Sequence, residues 1–176
     1  MNDFKEMLTA ELISVTGGLA AGTILAFSTD KLALIPGLFI LMPGFLAMRG
    51  SIAASLAARI GTALHQKQKG ASKERSMFGK QNIHASFLLA LVVSLVLGLV
   101  AYIATKMFFG IDAPQILFIA LIAAFISNVL MIPIAFASTV WLFNHGYDPD
   151  DIMGPYITTV GDVVSIVSLL VAVLIV

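Results

Sequence analysis

Long apolar stretches separated by short polar turns dominate this sequence. The pattern predicts five helical spans, at about residues 8–27, 32–64, 83–105, 113–143 and 152–176. A hydrocarbon core of about 30 Å takes roughly 20 helical residues, so each run is long enough to cross a bilayer. The second and fourth runs are longer than needed and contain prolines, so we expect both helices to be kinked, the second near Pro36 or Pro43 and the fourth at Pro133.

The composition supports this interpretation and excludes several classes of protein. Hydrophobic residues make up 59% of the 176 residues and charged residues 11%, with a mean hydropathy of +1.00. A soluble domain has about 45–50% hydrophobic and about 25% charged residues, so a soluble enzyme and a disordered chain are excluded. The absence of cysteine excludes disulfides, thiolate metal sites and thiol catalysis. We therefore expect an all-α integral membrane protein of the plasma membrane.

Charges are balanced in number but segregated along the chain. Ten basic and ten acidic residues leave no net field that would attract nucleic acid. The basic residues concentrate in residues 65–82, which we predict to be the only extended polar loop. Cytoplasmic loops carry the excess of Lys and Arg, so the predicted topology has the N-terminus inside and the C-terminus outside. Arg49 and Arg59, on the far part of the second helix, are expected at or beyond the membrane surface.

Asp162 is the residue that most needs an explanation. It is the eleventh residue of the fifth span and lies about 15 Å into the membrane if helical. An ionised Asp at a helix centre costs on the order of 2.5–3.5 kcal/mol, and such a residue is a functional candidate by default. Thr158 and Ser165 share its helix face, and Pro155 lies a further turn back, three residues before Thr158. The fifth helix therefore has the polar stripe of a pore-lining helix.

The ion that Asp162 could bind depends on how many copies of the chain assemble. No second acid lies at a similar depth, and one carboxylate cannot neutralise a divalent cation. Two copies packed in parallel about an axis normal to the membrane would bring two Asp162 side chains together. Mg²⁺ suits this arrangement because it keeps several waters and is held through one or two carboxylates. The structural alternative is that Asp162 hydrogen-bonds a neighbouring helix, with Asn128 as the candidate partner.

Other polar or small residues are weaker candidates. Glu11 lies in the first turn of the first span, where its carboxylate could reach the interface. Acidic residues before the fifth helix are natural caps for its N-terminus and could also concentrate cations at the cytoplasmic mouth; they are Asp148, Asp150 and Asp151. Small residues of the second helix permit the close approach of another helix or of a hydrated ion; they are Gly50, Ser51, Ala54, Ser55 and Ala58.

Residues 146–162 resemble the start of the last transmembrane helix in the MgtE magnesium channels and in the related solute-carrier magnesium transporters of animals. The residues that carry this resemblance are Asp148-Pro149, Pro155, Thr158 and Asp162. The second helix is also similar to the solute-carrier and archaeal version of the family. There the matching elements are Pro43, Gly50-Ser51 and the segment Ala58-Arg59-Ile60-Gly61-Thr62-Ala63-Leu64-His65.

The resemblance implies a homodimer with a cation path between its protomers. Asp162 falls on the position of the family's pore aspartate, which binds hydrated Mg²⁺. Looser matches to positions near the path are Gly50, Ser51, Pro155 and Thr158, and Ser51 stands where the family has an Asn. Bacterial members carry cytoplasmic sensor domains before the helices. Only about seven residues precede the first span here, so we expect one transmembrane domain without a sensor domain.

Three functions are compared on this basis. The first is a transporter or channel for Mg²⁺ as the substrate ion, with other divalent cations as open alternatives and paired Asp162 as the metal site. The second is an intramembrane aspartyl protease that uses Asp148 and Asp162. Their separation of about 21 Å along one helix argues against a shared proton, and we expect no enzyme. The third is a structural scaffold, for which Asp162→Asn would be harmless.

Overall fold

The computed structural model describes residues 2–68 and 75–176, except for the side chains of residues 2, 3, 6, 31, 66–68, 75–80, 150 and 151. Within these residues the chain forms six helices and no strand: α1 Asn2–Phe27, α2 Thr29–Ala33, α3 Gly37–Gln68, α4 Arg75–Phe109, α5 Gln115–Asn144 and α6 Pro149–Ile175. Five of these helices, all but α2, are long and apolar enough to cross a membrane. The predicted all-α fold with five spans is confirmed.

Some predicted boundaries differ from those of the structure. The second span begins at Gly37, and the short helix α2 precedes it. The break falls at Pro36, because a proline has no backbone N–H to donate and disfavours helical geometry in the residue before it. The extended loop predicted for residues 65–82 is wrong at both ends, since α3 continues to Gln68 and α4 already begins at Arg75. Residues 69–74 lie outside the described part of the chain.

The interior of the bundle is built around α5, which packs against α3, α4 and α6. Small side chains on α5 are completely buried and let the helix backbones come close; they are Ala120, Ala123, Ala124 and Ala135. On α4, a Cβ at Gly98 would lie 3.0 Å from the Ala120 Cβ and 3.3 Å from the Leu117 Cα. The remaining surface of α4 is a continuous row of exposed Leu, Val and Ile side chains, as expected of a lipid-facing helix.

Helix α1 is peripheral. Among the described residues it packs on α6 and touches α2, and it has no contact with α3, α4 or α5. The contact is close at Gly17, where an added Cβ would lie 3.3 Å from the Thr159 Cβ and still closer to the Thr159 Cγ2. Helices α1 and α3 both pack on α6 but do not touch each other, so a strip of α6 between them is uncovered; we call this strip and its two borders the cleft, with α6 as the floor.

The end of the bundle remote from His65 carries a small polar cluster between α4 and α5. The Tyr102 hydroxyl donates a hydrogen bond to Asp112 Oδ1 at 2.7 Å, and Lys106 Nζ lies 3.5 Å from the same oxygen. The Tyr102 hydrogen bond, followed by the Lys106 charge, lowers the pKa of Asp112. A carboxylate with a lowered pKa stabilises the fold at neutral pH, and this contribution is lost as the pH falls through that pKa.

Candidate functional site

The floor of the cleft is a row of small and polar side chains on α6. Gly154, Thr158 and Asp162 follow one another at intervals of four residues, so they lie on one side of the helix. Gly154 and Thr158 are exposed, and Asp162 is half-buried. Pro155, beside this row, is half-buried as well. Neighbouring residues fix the position of the row. Ile157 packs in the cluster that includes Ala53 and Ala57 of α3, whereas Thr159 faces α1.

The row is open at the end of the bundle near the α5–α6 loop and closed beyond Asp162. The next residues of α6 on this side are fully buried; they are Ser165, Ile166, Leu169 and Ala172. Asp162 thus lies where the open part of the cleft ends. A carboxylate at such a point is accessible from one side and backed by protein on the other.

On the α3 side the row is bordered by small residues, since Ala54 packs in the same cluster as Ile157 and lies one turn from both Gly50 and Ala58. Ser51, Ser55 and Ala58 are exposed, and a Cβ on Gly50 would meet no atom within 4 Å. Ser55 lies on the flank of α3 toward α4, since Arg59 donates a hydrogen bond from Nη2 to Ser55 Oγ at 3.0 Å and another from Nη1 to Asn82 Oδ1 of α4 at 3.5 Å. Beside the row, at Gly50 and Ala58, both predicted alternatives stay open: the close approach of another helix and that of a hydrated ion.

Glu11 lies on the flank of α1 that borders the cleft. Thr9 and Ile13 line a groove on the opposite flank, together with residues of the α5–α6 loop and α6. Glu11 is turned by about 180° from those two residues on the helix and is exposed. It lies one to two turns from Gly17, toward the open end of the cleft.

The structure corrects two expectations about buried polar groups. Arg49 was expected at or beyond the membrane surface, yet it is 1% exposed and lies in the interior. Its Nη1 donates a hydrogen bond to Asn128 Oδ1, which couples α3 to α5. The Asn128 Nδ2 has no hydrogen-bond partner, so Asn128 does not pair with Asp162. A signal for Arg49 was present in the sequence, since it is the thirteenth of the 29 residues of its span.

Of the three acidic residues that the sequence places before the fifth helix, only Asp148 precedes α6, and Asp150 and Asp151 belong to its first turn, because α6 begins at Pro149. Asp148 Oδ1 lies 3.8 Å from His65 Nε2, which joins the end of α3 to the loop before α6. The side chains of Asp150 and Asp151 lie outside the described part of the structure. The helix α6 runs without interruption from Pro149, so Asp148 and Asp162 are separated by about 20 Å. The two carboxylates of one chain cannot share a proton at that distance.

The cleft holds few groups that could bind a cation. Among the described side chains, no group of three His, Cys, Asp or Glu is close enough to hold a metal ion. The row offers one carboxylate and the hydroxyl group of Thr158, which can accept a hydrogen bond from the water shell of an ion. Thr158 donates its own hydroxyl proton to the Gly154 carbonyl at 3.0 Å, so its oxygen lone pairs remain available.

Comparison with known proteins adds an independent observation. A family model described as "MgtE: Divalent cation transporter" matches residues 42–172. The matched region includes α3 from its first turns and continues almost to the end of α6, so it contains Asp162 and the α3 border of the cleft. No curated protein and no solved structure matches the chain.

Proposed function

Since this chain belongs to the MgtE family of divalent cation transporters, we propose that it carries hydrated Mg²⁺ along the cleft between α1 and α3, past Asp162. The five membrane-spanning helices make it a membrane protein, and the plasma membrane is the location we propose. Divalent cation transport follows from family membership. The ion, the path and the assembly are the further parts of the proposal.

The observation that carries the proposal is the position of Asp162. It lies in the middle of a 24-residue span, half-buried, where a row of small and hydroxyl-bearing residues ends. Charged groups at this depth normally face a water-filled cavity or pair with one another. Among the described residues no ion pair involves Asp162, since the recorded pairs join His65 to Asp148 and Lys106 to Asp112.

Mg²⁺ is favoured as the substrate by the sparse donor set. This ion dehydrates reluctantly and is usually bound through one or two carboxylates while it keeps several waters. Calcium prefers six to eight direct oxygen ligands, and soft metals prefer thiolate or imidazole ligands. The cleft provides neither arrangement. A carboxylate with one nearby hydroxyl group and small side chains fits an ion that retains its water.

A second copy of the chain supplies the missing charge in this proposal. The α3 and α6 surfaces of the cleft are small and open, so two protomers can face each other there with their Asp162 carboxylates on either side of the axis. The two carboxylates neutralise one divalent ion. With the basic segment near residues 65–82 on the cytoplasmic side, the open end of the row faces the cytoplasm.

The proposed dimer can be tested by cross-linking, because the chain contains no cysteine. We expect Thr158→Cys to give a covalent dimer with a short bifunctional maleimide in membranes, since Thr158 is exposed beside the proposed axis. Phe118→Cys is the control, since Phe118 is also exposed but lies on α5, away from the proposed axis. Equal cross-linking of the two variants, or none at Thr158, would contradict the dimer.

The transport activity itself is tested with purified protein in liposomes loaded with a Mg²⁺-sensitive dye. The native protein should raise the internal Mg²⁺ signal well above that of empty liposomes. Competing Mn²⁺, Co²⁺ or Ca²⁺ added outside measures the selectivity, through the reduction in Mg²⁺ uptake that each ion causes. Uptake indistinguishable from that of empty liposomes, by protein that elutes as a single species, would refute Mg²⁺ transport.

A further inference from the structure

Arg49 is a buried charge whose hydrogen bonds are only partly satisfied. It is 1% exposed in the middle of α3, and Nη1 donates to Asn128 Oδ1. Its Nε and Nη2 have no acceptor, and Asn128 Nδ2 also lacks a partner. Buried charged groups without partners are strongly disfavoured, so a guanidinium in this position requires a compensating negative charge or ordered water nearby.

Asp162 is the carboxylate at the matching depth. Helices α5 and α6 form an antiparallel hairpin, in which a Cβ on Gly161 would lie 3.6 Å from Met131 Cε. Asp162 is one residue beyond Gly161, and Asn128 is three residues from Met131 in the same direction, so their depths differ by only about 3 Å. Because Arg49 is bonded to Asn128, the positive charge on α3 and the negative charge on α6 lie in one layer of the bundle.

Two buried hydroxyl groups lie on the next turns of α6, about 4.5 and 9 Å beyond Asp162 along the helix. Ser165 and Ser168 follow Asp162 at intervals of three residues, and both Oγ atoms are buried without a partner. The unpaired polar atoms of Arg49, Asn128, Ser165 and Ser168 are thus buried on α3, α5 and α6 within about two helical turns of Asp162 in depth. Such atoms are typically hydrogen-bonded by ordered water, which connects charges that do not touch.

From these observations we propose that Arg49 is the fixed counter-charge of the Asp162 ion site and sets how weakly a cation is held there. The inference rests on the proposed function. With no cation bound, two Asp162 carboxylates and two Arg49 guanidinium groups sum to zero charge. A divalent cation leaves the layer with two net positive charges, so Arg49 repels the ion that Asp162 attracts.

This repulsion serves transport, because an ion must bind well enough to enter and weakly enough to leave. Two carboxylates alone in a low-dielectric layer would hold a divalent cation tightly. Arg49 offsets part of that attraction without blocking the cleft, since its side chain is buried where α3 meets Asn128 of α5 and not in the open row. It acts on the ion through space and is a positioning charge, with no direct contact to the substrate.

The test compares Arg49→Gln with Arg49→Lys in Mg²⁺ uptake by proteoliposomes over a range of external Mg²⁺. Removal of the charge in Arg49→Gln is expected to lower the KM about tenfold and to reduce the maximal rate, because a more tightly held ion leaves more slowly. Arg49→Lys retains the charge and can still donate to Asn128, so its KM should stay near the native value. The split between KM and maximal rate is a readout that a purely structural role would not produce.

Protein quality is controlled by size-exclusion elution of each variant in detergent. Should Arg49→Gln fail to fold, the double variant Arg49→Leu/Asn128→Leu removes the donor and its acceptor together, which avoids an unpaired buried amide. It is expected to show the same lowered KM. An unchanged or raised KM in the charge-free variants, or a lysine variant that behaves like the glutamine variant, overturns the inference. If the native protein takes up no Mg²⁺, the proposed function fails as well.

Discussion

Replacement of Asp162 by asparagine is expected to abolish Mg²⁺ uptake while the helical bundle stays intact. Asparagine has nearly the same volume and keeps a carbonyl oxygen, so packing against the buried part of α6 is preserved. It removes the negative charge, and the attraction between a carboxylate and a divalent ion at short range in a partly buried site is worth several kcal/mol. We expect the initial uptake rate to fall by at least about 100-fold.

The measurement uses native and variant protein reconstituted at matched protein-to-lipid ratios, with dye-loaded liposomes. Asp30→Asn is the matched control, because it makes the same chemical change away from the cleft. Asp30 is an exposed aspartate in the first turn of α2. The control should transport like the native protein. If Asp162→Asn transports at the native rate, Asp162 has a structural role and the ion path lies elsewhere. Asp148→Asn, which should retain at least partial uptake, separates transport from an aspartyl protease mechanism.

Leucine at Gly98 is expected to destabilise the bundle strongly. The Cβ alone would lie 3.0 Å from the Ala120 Cβ and 3.3 Å from the Leu117 Cα, so α4 has to move away from α5 before any further side-chain atom fits. Overpacking of this kind lowers the free energy of unfolding by about 1–3 kcal/mol. Because Leu117 Cα is a backbone atom that cannot rotate away, we expect Gly98→Leu to lie at the upper end of this range. The midpoint of thermal unfolding in detergent should fall by roughly 6–12 °C.

The control for this substitution is Gly22→Leu. A Cβ on Gly22 would meet no atom within 4 Å, and both glycines lie inside helices, so the change in helix propensity is the same for the two variants. Gly22→Leu should melt at or slightly above the native temperature, because leucine favours the helix by a few tenths of a kcal/mol or more relative to glycine. Equal melting of the two leucine variants would show that α4 and α5 are not closely packed at Gly98.

The number and type of the elements could be predicted from the sequence because each span is recognisable from its own residues alone. A run of about 20 apolar residues is sufficient to predict a membrane helix, and Asp162 is conspicuous within such a run. The start of α3 was predicted five residues too early. Leu32 to Pro36 are as apolar as the helix that follows, and only the backbone restriction imposed by Pro36 separates α2 from α3.

The position of Arg49 could not be predicted in the same way. Its burial depends on Asn128, which is 79 residues away in the chain and lies on another helix. A sequence shows the cost of a charge in a span, but the partner that compensates it is defined only by tertiary packing. The same limit applies to Ser165, which shares a helix face with Asp162 by spacing and yet is fully buried.

The peripheral packing of α1 also constrains how the chain is assembled. Helix α1 meets its main partner, α6, late in synthesis, since Thr159 is made about 140 residues after Gly17. Until α6 is made, the only contact of the structure that α1 can form is the one with α2. The cleft therefore needs α6 as well as α1 and α3, and both of its sides are present only once α6 has been made.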